Sequence, residues 1–280
     1  VLHFNYRDHR KIACIDGDVA YTGGVNIADE YANIIERFGY WKDSGVCLEG
    51  EGAWGLTASF IRMCVNLGGV MHNEHDYYRP HTPVKSEGFC QPFTDGPQNN
   101  PDNPAEDVFL QMISGARRFL YITTPYFIPD ESLMRALCIA GDGGMDVRLM
   151  LPGKPDHWYA DCVAESYFGE LIKHGVKVYR YTPGFLHGKT IMVDRVAAFV
   201  GSVNMDYRSF ELDYECGVMV YGAPMIESLL EDMDMIVDHA AQYAALVCHL
   251  DVTGKWGRDR NFPNFDFLEN FLLTNAKFLL

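Results

Sequence analysis

Two short runs of residues in this sequence could do chemistry. His9 and Lys11 stand two apart, followed at fixed intervals by Asp16, Gly23-Gly24 and Val25-Asn26. His187 and Lys189 open a second run, with Asp194, Gly201-Ser202 and Val203-Asn204 at the same intervals, every position displaced by 178. Five fixed residue types at about 1 in 20 each make one chance match on the order of a few in ten million, so the two runs are copies of one unit. Side chains at i and i+2 of an extended chain share a face, which aims His9 with Lys11 and His187 with Lys189. Packed about a pseudo-twofold axis, two imidazoles and two ammonium groups converge on one site. That set suits a phosphodiester. One imidazole attacks phosphorus and the other protonates the leaving oxygen. The lysines and the amides of Asn26 and Asn204 neutralise the non-bridging oxygens. Histidine titrates near neutrality and can fill either role. Gly23, Gly24 and Gly201 suit close approach of backbone to the phosphate and suit a plain turn nearly as well, with Gly24 and Ser202 expected to line the substrate site. Asp16 and Asp194 each directly follow a strand, and their roles divide between catalysis and the turn. No metal or cofactor is expected, because no dense carboxylate cluster is available to hold magnesium.

These residues need elements to hold them. The apolar runs Ile12–Ile15 with Val19–Thr22, and Thr190–Val193 with Ala197–Val200, predict a strand pair in each copy. Beyond the motif, Asp43–Gly50 resembles Glu215–Gly222 at an offset of 172, so the first copy carries six extra residues between motif and strand. Amphipathic stretches at 53–66 and 224–241 predict a packing helix after each. Strands are expected at 119–123, 146–151 and 176–181, and helices at 131–140 and 159–174. The alternation indicates an α/β fold, a mixed and mostly parallel sheet in an α-β-α sandwich, duplicated about a pseudo-twofold with its first half incomplete. A polar stretch at 71–88 and a Pro/Asn-rich loop at 95–104 place the boundary near residue 86. The first copy is then 1–86, and the second copy with a C-terminal tail is 87–280.

The composition bounds the partners. The 280 residues are 48% hydrophobic, and 23 basic against 38 acidic side chains leave a net charge of −15. So acidic a chain lacks the basic footprint of a non-specific nucleic-acid binder and does not dock on anionic lipid by charge alone. Eight scattered cysteines without a C-x-x-C pair read as buried, reduced thiols, and so as a reducing compartment. No apolar run approaches the ~18–20 residues of a membrane-spanning helix. His72, Glu74, His75, Asp76 and His81 fit no standard zinc spacing and read as a solvated loop. Phe267, Leu268, Phe271, Leu272, Phe278 and Leu279 form a helical stripe expected to pack on the core rather than lie in a membrane interface. Lys154 suits a surface lysine as well as a phosphate contact.

The duplicated H-x-K-x4-D-x6-G-[GS]-x-N resembles the HKD signature of the phospholipase D superfamily. The stretches 122–130 (ITTPYFIPD), 151–154 (LPGK), 183–187 (PGFLH) and 204–212 (NMDYRSFEL) resemble its bacterial cardiolipin synthase branch. The likeness covers most of 5–240, and Asp213 stands where that branch usually shows Asn. The resemblance implies a membrane phosphatidyltransferase acting on phosphatidylglycerol at the bacterial inner membrane, with its catalytic part on the cytoplasmic side. One histidine attacks phosphatidylglycerol, glycerol leaves, and a second phosphatidylglycerol takes the phosphatidyl group from histidine to give cardiolipin. By that analogy His9 is the nucleophile and His187 the acid/base, an order that the sequence itself leaves open. Asp43 and Glu215, at matching places in the repeat, are expected to orient the histidines. A phospholipase D-type hydrolase using water as acceptor, or a nuclease, would share the first step. Only eight residues precede His9, against about 100 between the start of the second copy and His187. The first copy is therefore expected to lack roughly 90 residues supplied by an upstream segment of the same protein, with membrane anchors further upstream. The 280 residues alone are expected not to turn over.

Overall fold

The computed structural model describes residues 5–71, 78–85, 88–97 and 103–252, with side chains up to 240. The expected boundary near 86, the His72–Asp76 part of the polar cluster and the C-terminal stripe lie outside the described residues.

The first copy contributes β1 (Arg7–Asp8), β2 (Ile12–Ile15), β3 (Val19–Gly23), β4 (Tyr40–Lys42), β5 (Gly45–Glu49) and α1 (Trp54–Asn66). The second runs β6 (Phe89–Asp95), α2 (Pro104–Gly115), β7 (Phe119–Thr123), β8 (Phe127–Ile128), α3 (Glu131–Asp142) and β9 (Asp146–Pro152). It continues through α4 (Trp158–Lys173), β10 (Lys177–Tyr181), β11 (Gly184–Leu186), β12 (Thr190–Val193) and β13 (Ala197–Gly201). It closes with β14 (Met205–Asp206), α5 (Tyr207–Glu211), β15 (Asp213–Tyr221) and α6 (Met225–Val252). Strand β6 and helix α2, which are not among the elements expected from the sequence, flank the Pro/Asn-rich loop at 95–104. The helix is long enough to form because Pro104 sits in its first turn, where a missing N–H costs nothing, and Glu106 and Asp107 favour the positive end.

The large sheet has the order β1-β15-β13-β12-β7-β9-β10, with β6 also on β15. It is mixed, but its parallel part is confined to β7-β9-β10 and the short β1–β15 contact. The motif strands β12 and β13 pair antiparallel with each other, and β12 and β13 pair antiparallel with β7 and β15. A sheet built mostly of parallel strands, as expected from the βα alternation, is therefore corrected. A three-residue turn, Asp194 to Val196, joins β12 to β13, too short for the crossover that parallel neighbours need. Helices α2, α3 and α4 cover one face through Phe109, Leu133, Leu137, Phe168, Ile191 and Phe199. The other face carries α6 and a separate three-stranded sheet, β2-β3-β5, through Ala20, Val46, Leu48, Val200, Val218 and Ile236. No disulfide links the seven cysteines with described side chains, and only Cys216 is buried. Cys47 and Cys90 are exposed, which corrects the reading of the cysteines as uniformly buried.

The pseudo-twofold is visible in the hydrogen-bond register. Arg7 and Asp8 pair in parallel with Asp213 and Tyr214. Their repeat equivalents, Phe185 and Leu186, pair in parallel with Trp41 and Lys42. Each copy thus lends a short strand to the other, just ahead of its histidine.

Candidate active site

His9 and His187 lie in the extended joints between β1 and β2 and between β11 and β12, one residue beyond the cross-copy strand pairs. The backbone N–H of His9 donates to the Tyr214 carbonyl at 2.9 Å, and that of His187 to the Lys42 carbonyl at 2.6 Å. Each lysine folds back in the same way: Lys11 Nζ donates to the His9 carbonyl and Lys189 Nζ to the His187 carbonyl, both at 2.6 Å.

The two carboxylates expected to orient the histidines do so crosswise. His9 Nδ1 lies 2.9 Å from Glu215 Oε1, and His187 Nδ1 lies 2.7 Å from Asp43 Oδ2. Each copy therefore orients the other copy's imidazole through Nδ1. Glu215 is completely buried and also accepts hydrogen bonds from the hydroxyls of Ser202 and Ser209. Ser202 is thereby committed to a carboxylate and is not a free donor for substrate, a correction to its expected role. Asp43 instead accepts from the Ser44 N–H at 2.8 Å. Gly24 stands where Ser202 stands in the second copy, and a Cβ there would fall 2.2 Å from Asp43 Oδ1. Gly24 thus makes room for the carboxylate that holds His187.

The fields of Asp43 and Glu215 both act on Lys11 and on Lys189, and Lys11 repels Lys189. The four groups share one seam. Burial lowers the Lys11 ammonium below its ordinary value and brings Lys189 down to about 7. His187 is pushed down to about 3, first by burial and then by Lys189, whose Nζ lies 2.8 and 2.9 Å from its two ring nitrogens. A seam that strains to keep its cations charged is one that an anion would relieve.

Asn26 and Asn204 both follow the glycine turn. Asn204 is buried with an unpartnered Oδ1, and Asn26 Nδ2 donates to Tyr31 Oη at 2.6 Å. Tyr31, Trp41 and Phe185 wall His187, with ring centroids 5.2, 5.3 and 5.8 Å away. These aromatics were not anticipated. The signal that could have found them is their placement beside the residues of each motif that cross to the other copy.

Asp16 and Asp194 are not in the seam, which corrects their catalytic assignment. Both sit at the far end of the motif strand from the histidine. Asp194 accepts from the N–H groups of Arg117, Arg118 and Phe119 at 2.7, 2.8 and 2.9 Å. Asp16 is exposed and makes no hydrogen bond through its side chain to the described residues. Lys154 is exposed, with Nζ 3.0 Å from where a Cβ on Gly39 would lie. His81 serves through its backbone, donating to Asp18.

Among the described residues, one group has donor atoms close enough to share a cation: His9, Asp213 and Glu215, within 4.8 Å of one another. Its donors are already engaged or opposed by cations. His9 and Glu215 bond each other, and Asp213 lies 3.6 Å from the Arg208 guanidinium. Burial and then Glu215 raise the Asp213 carboxyl to about 7.

Fold and site together define a duplicated α/β module that brings two imidazoles and two ammonium groups to one seam. Residues 109–237 match the family described as "Cardiolipin synthase, PLD-like domain". A cardiolipin synthase of Listeria welshimeri is 39% identical over 239 residues, 83% of this chain and 49% of the relative. That of Halalkalibacterium halodurans is 40% identical over 239 residues, 85% of this chain and 47% of the relative. The chain spans about half the length of the curated relatives it matches. The crystal structure of phosphatidylserine synthase from Haemophilus influenzae Rd KW20 shares the fold, with a TM-score of 0.63 at 16% identity, over 97% of this chain and 69% of that one. The chain belongs to the phospholipase D superfamily.

Proposed function

We propose that this chain carries the catalytic seam of a phosphatidyltransferase that makes cardiolipin and glycerol from two phosphatidylglycerol molecules. The observation that supports this most strongly is the crosswise pairing of each histidine with the other copy's carboxylate, beside the half-buried Lys11 and the buried Lys189. In the first step His9 Nε2 forms an N–P bond as the P–O bond to glycerol breaks, and the leaving oxygen takes a proton from His187, whose imidazolium the bound phosphodiester anion, together with Asp43, favours against the burial that depresses it in the empty seam. Glu215 offsets the positive charge on the phosphorylated imidazole. In the second step the hydroxyl of another phosphatidylglycerol gives its proton to neutral His187 and attacks phosphorus, and His9 is released. Lys11 and Lys189 neutralise the non-bridging oxygens throughout.

His9 is the better nucleophile because its side chain is about a quarter exposed, whereas that of His187 is 7% exposed and walled by aromatics. The reading includes a membrane location facing the cytoplasm. Among the described residues no helix is long and apolar enough to cross a bilayer. The deciding experiment is separation of products formed from phosphatidylglycerol. Cardiolipin with glycerol is expected. Phosphatidic acid alone would replace the transferase with a hydrolase that uses water as acceptor.

A further inference from the structure

The six residues by which the first copy exceeds the second fall in the loop between Gly24 and β4. In the second copy the matching segment is the short helix α5, whose Ser209 and Phe210 are buried. In the first copy it carries Val25, Ile27, Ile34 and Ile35, all at least 48% exposed, with Ile27 wholly so. This loop is built rather than loose. Asn33 clamps β4, donating to the Trp41 carbonyl at 3.0 Å and accepting the Trp41 N–H at 2.6 Å. Its inner side chains, Tyr31 and Phe38, pack on Trp41. The loop thus spends its aromatics inward on the wall of His187 and leaves its isoleucines in water.

A second exposed apolar side chain stands close by. Trp158, at the start of α4, is 64% exposed. Its segment meets the loop where Lys154 Nζ approaches Gly39, and Asp156 acts electrostatically on Tyr31. The loop reaches His187 through Tyr31, and the segment that carries Trp158 reaches the loop through Lys154 and Asp156.

We propose that Ile27, Ile34 and Ile35, with Trp158 beside them, form a lip that enters the surface of a lipid bilayer and seats the catalytic seam over the headgroups. The inference rests on the reading of the substrate as a membrane phosphodiester. Such a substrate keeps its acyl chains in the bilayer, so the seam must come to the membrane, and the lip is continuous with the seam through Tyr31. Aliphatic side chains gain by leaving water for the acyl boundary, and tryptophan favours the interface. Charge does not drive the contact, because a chain of net charge −15 is repelled by anionic lipid.

The test is co-sedimentation with vesicles of phosphatidylglycerol and phosphatidylcholine, alongside calorimetry with inorganic phosphate. The triple variant Ile27→Ser, Ile34→Ser, Ile35→Ser should lower the vesicle partition coefficient by about tenfold or more. Its phosphate affinity should be unchanged, and added salt should strengthen vesicle binding by the parent protein. Unchanged partition in the triple variant would overturn the lip, as would binding that collapses in salt. So would a parent dimer that the variant dissolves without loss of vesicle binding, since the lip would then meet a second copy. Vesicle binding through the lip by a protein that neither binds phosphate nor transfers phosphatidyl groups would instead sink the functional reading.

Discussion

The strand that follows His9 and the strand that follows His187 carry the same motif in unlike surroundings. In β12, Thr190 to Val193 are all buried, whereas β2 alternates between half-buried and exposed residues. Ile191, Val193, Phe199 and Met219 are packed under helices. Their equivalents Ala13, Ile15, Tyr21 and Cys47 are exposed. Yet the backbone register, the lysine fold-back and the carboxylate pairing around the two histidines are the same. The catalytic geometry is thus set by the seam where the copies meet, through cross-copy strands and carboxylates, and not by how deeply each copy's own sheet is covered. The difference that reaches the chemistry is local: one imidazole is open beside a fully buried glutamate, and the other is sealed beneath three aromatic rings and a lysine.

Removing either imidazole should have the largest effect. On the proposed mechanism His9→Ala and His187→Ala should each lower phosphatidyl transfer by on the order of 10⁴-fold or more, since one would lose the nucleophile and the other the proton carrier. The comparison predicts that they fail differently. His187→Ala should still accumulate a slow, acid-labile phospho-adduct on His9, whereas His9→Ala should form none. Mass-spectrometric mapping of a wild-type adduct to His187 would invert the roles assigned to the open and sealed sites.

The lysines come next. Lys11→Ala and Lys189→Ala should lower kcat by a factor on the order of 10²–10³, as loss of an oxyanion-stabilising donor does. With no ligand Lys189 sits at about 7, and a bound phosphodiester anion raises it. Affinity for dimethyl phosphate, whose own charge is constant here, should therefore hold below about pH 7 and fall by up to about tenfold per unit above it. Lys189→Ala should flatten that profile. A wild-type profile flat from pH 6 to 9 would show that the buried lysine does not titrate with binding.

Spacing alone was enough to read the duplication, the paired histidines and lysines, and the candidates Asp43 and Glu215, because a repeat exposes equivalent positions. The strands 12–15 and 190–193 were readable for the same reason, their apolar runs being bounded by the motif itself. What a linear pattern does not carry is which copy's carboxylate meets which histidine, since those pairs span 206 and 144 residues. The destiny of Ser202 was hidden likewise. Its hydroxyl answers to Glu215, 13 residues on, across the β13–β15 pair. Asp16 and Asp194 misled because a motif aspartate is equally apt for a turn and for catalysis, and only the direction of its strand separates the two.

Those aspartates give the smallest and cleanest test of the comparison. Both turns hold the aspartate at positive φ, 54° at Asp16 and 53° at Asp194, a conformation that asparagine also adopts readily. Substitution by Asn therefore leaves the backbone in place and changes only what the side chain can accept. Asp194 receives three N–H groups from the start of β7, and Asn would keep one acceptor oxygen for them. Asp194→Asn should cost about 2 kcal/mol, within the range for hydrogen bonds to a charged group. Asp16→Asn should stay within about 0.5 kcal/mol, as surface changes do. The pH dependence should separate them as well. Burial raises the Asp194 carboxyl, but the three donors outweigh it and hold the net value below 3.8. Its contribution is therefore present above the unfolded value of about 3.9 and lost as pH falls through the depressed one. Urea midpoints measured from pH 6 down to pH 3 should show a shallower acid limb for Asp194→Asn and an unchanged limb for Asp16→Asn. Equal losses in the two variants would mean that the first copy's turn is held by contacts equivalent to those of the second, and the contrast between the two strands would not extend to their turns.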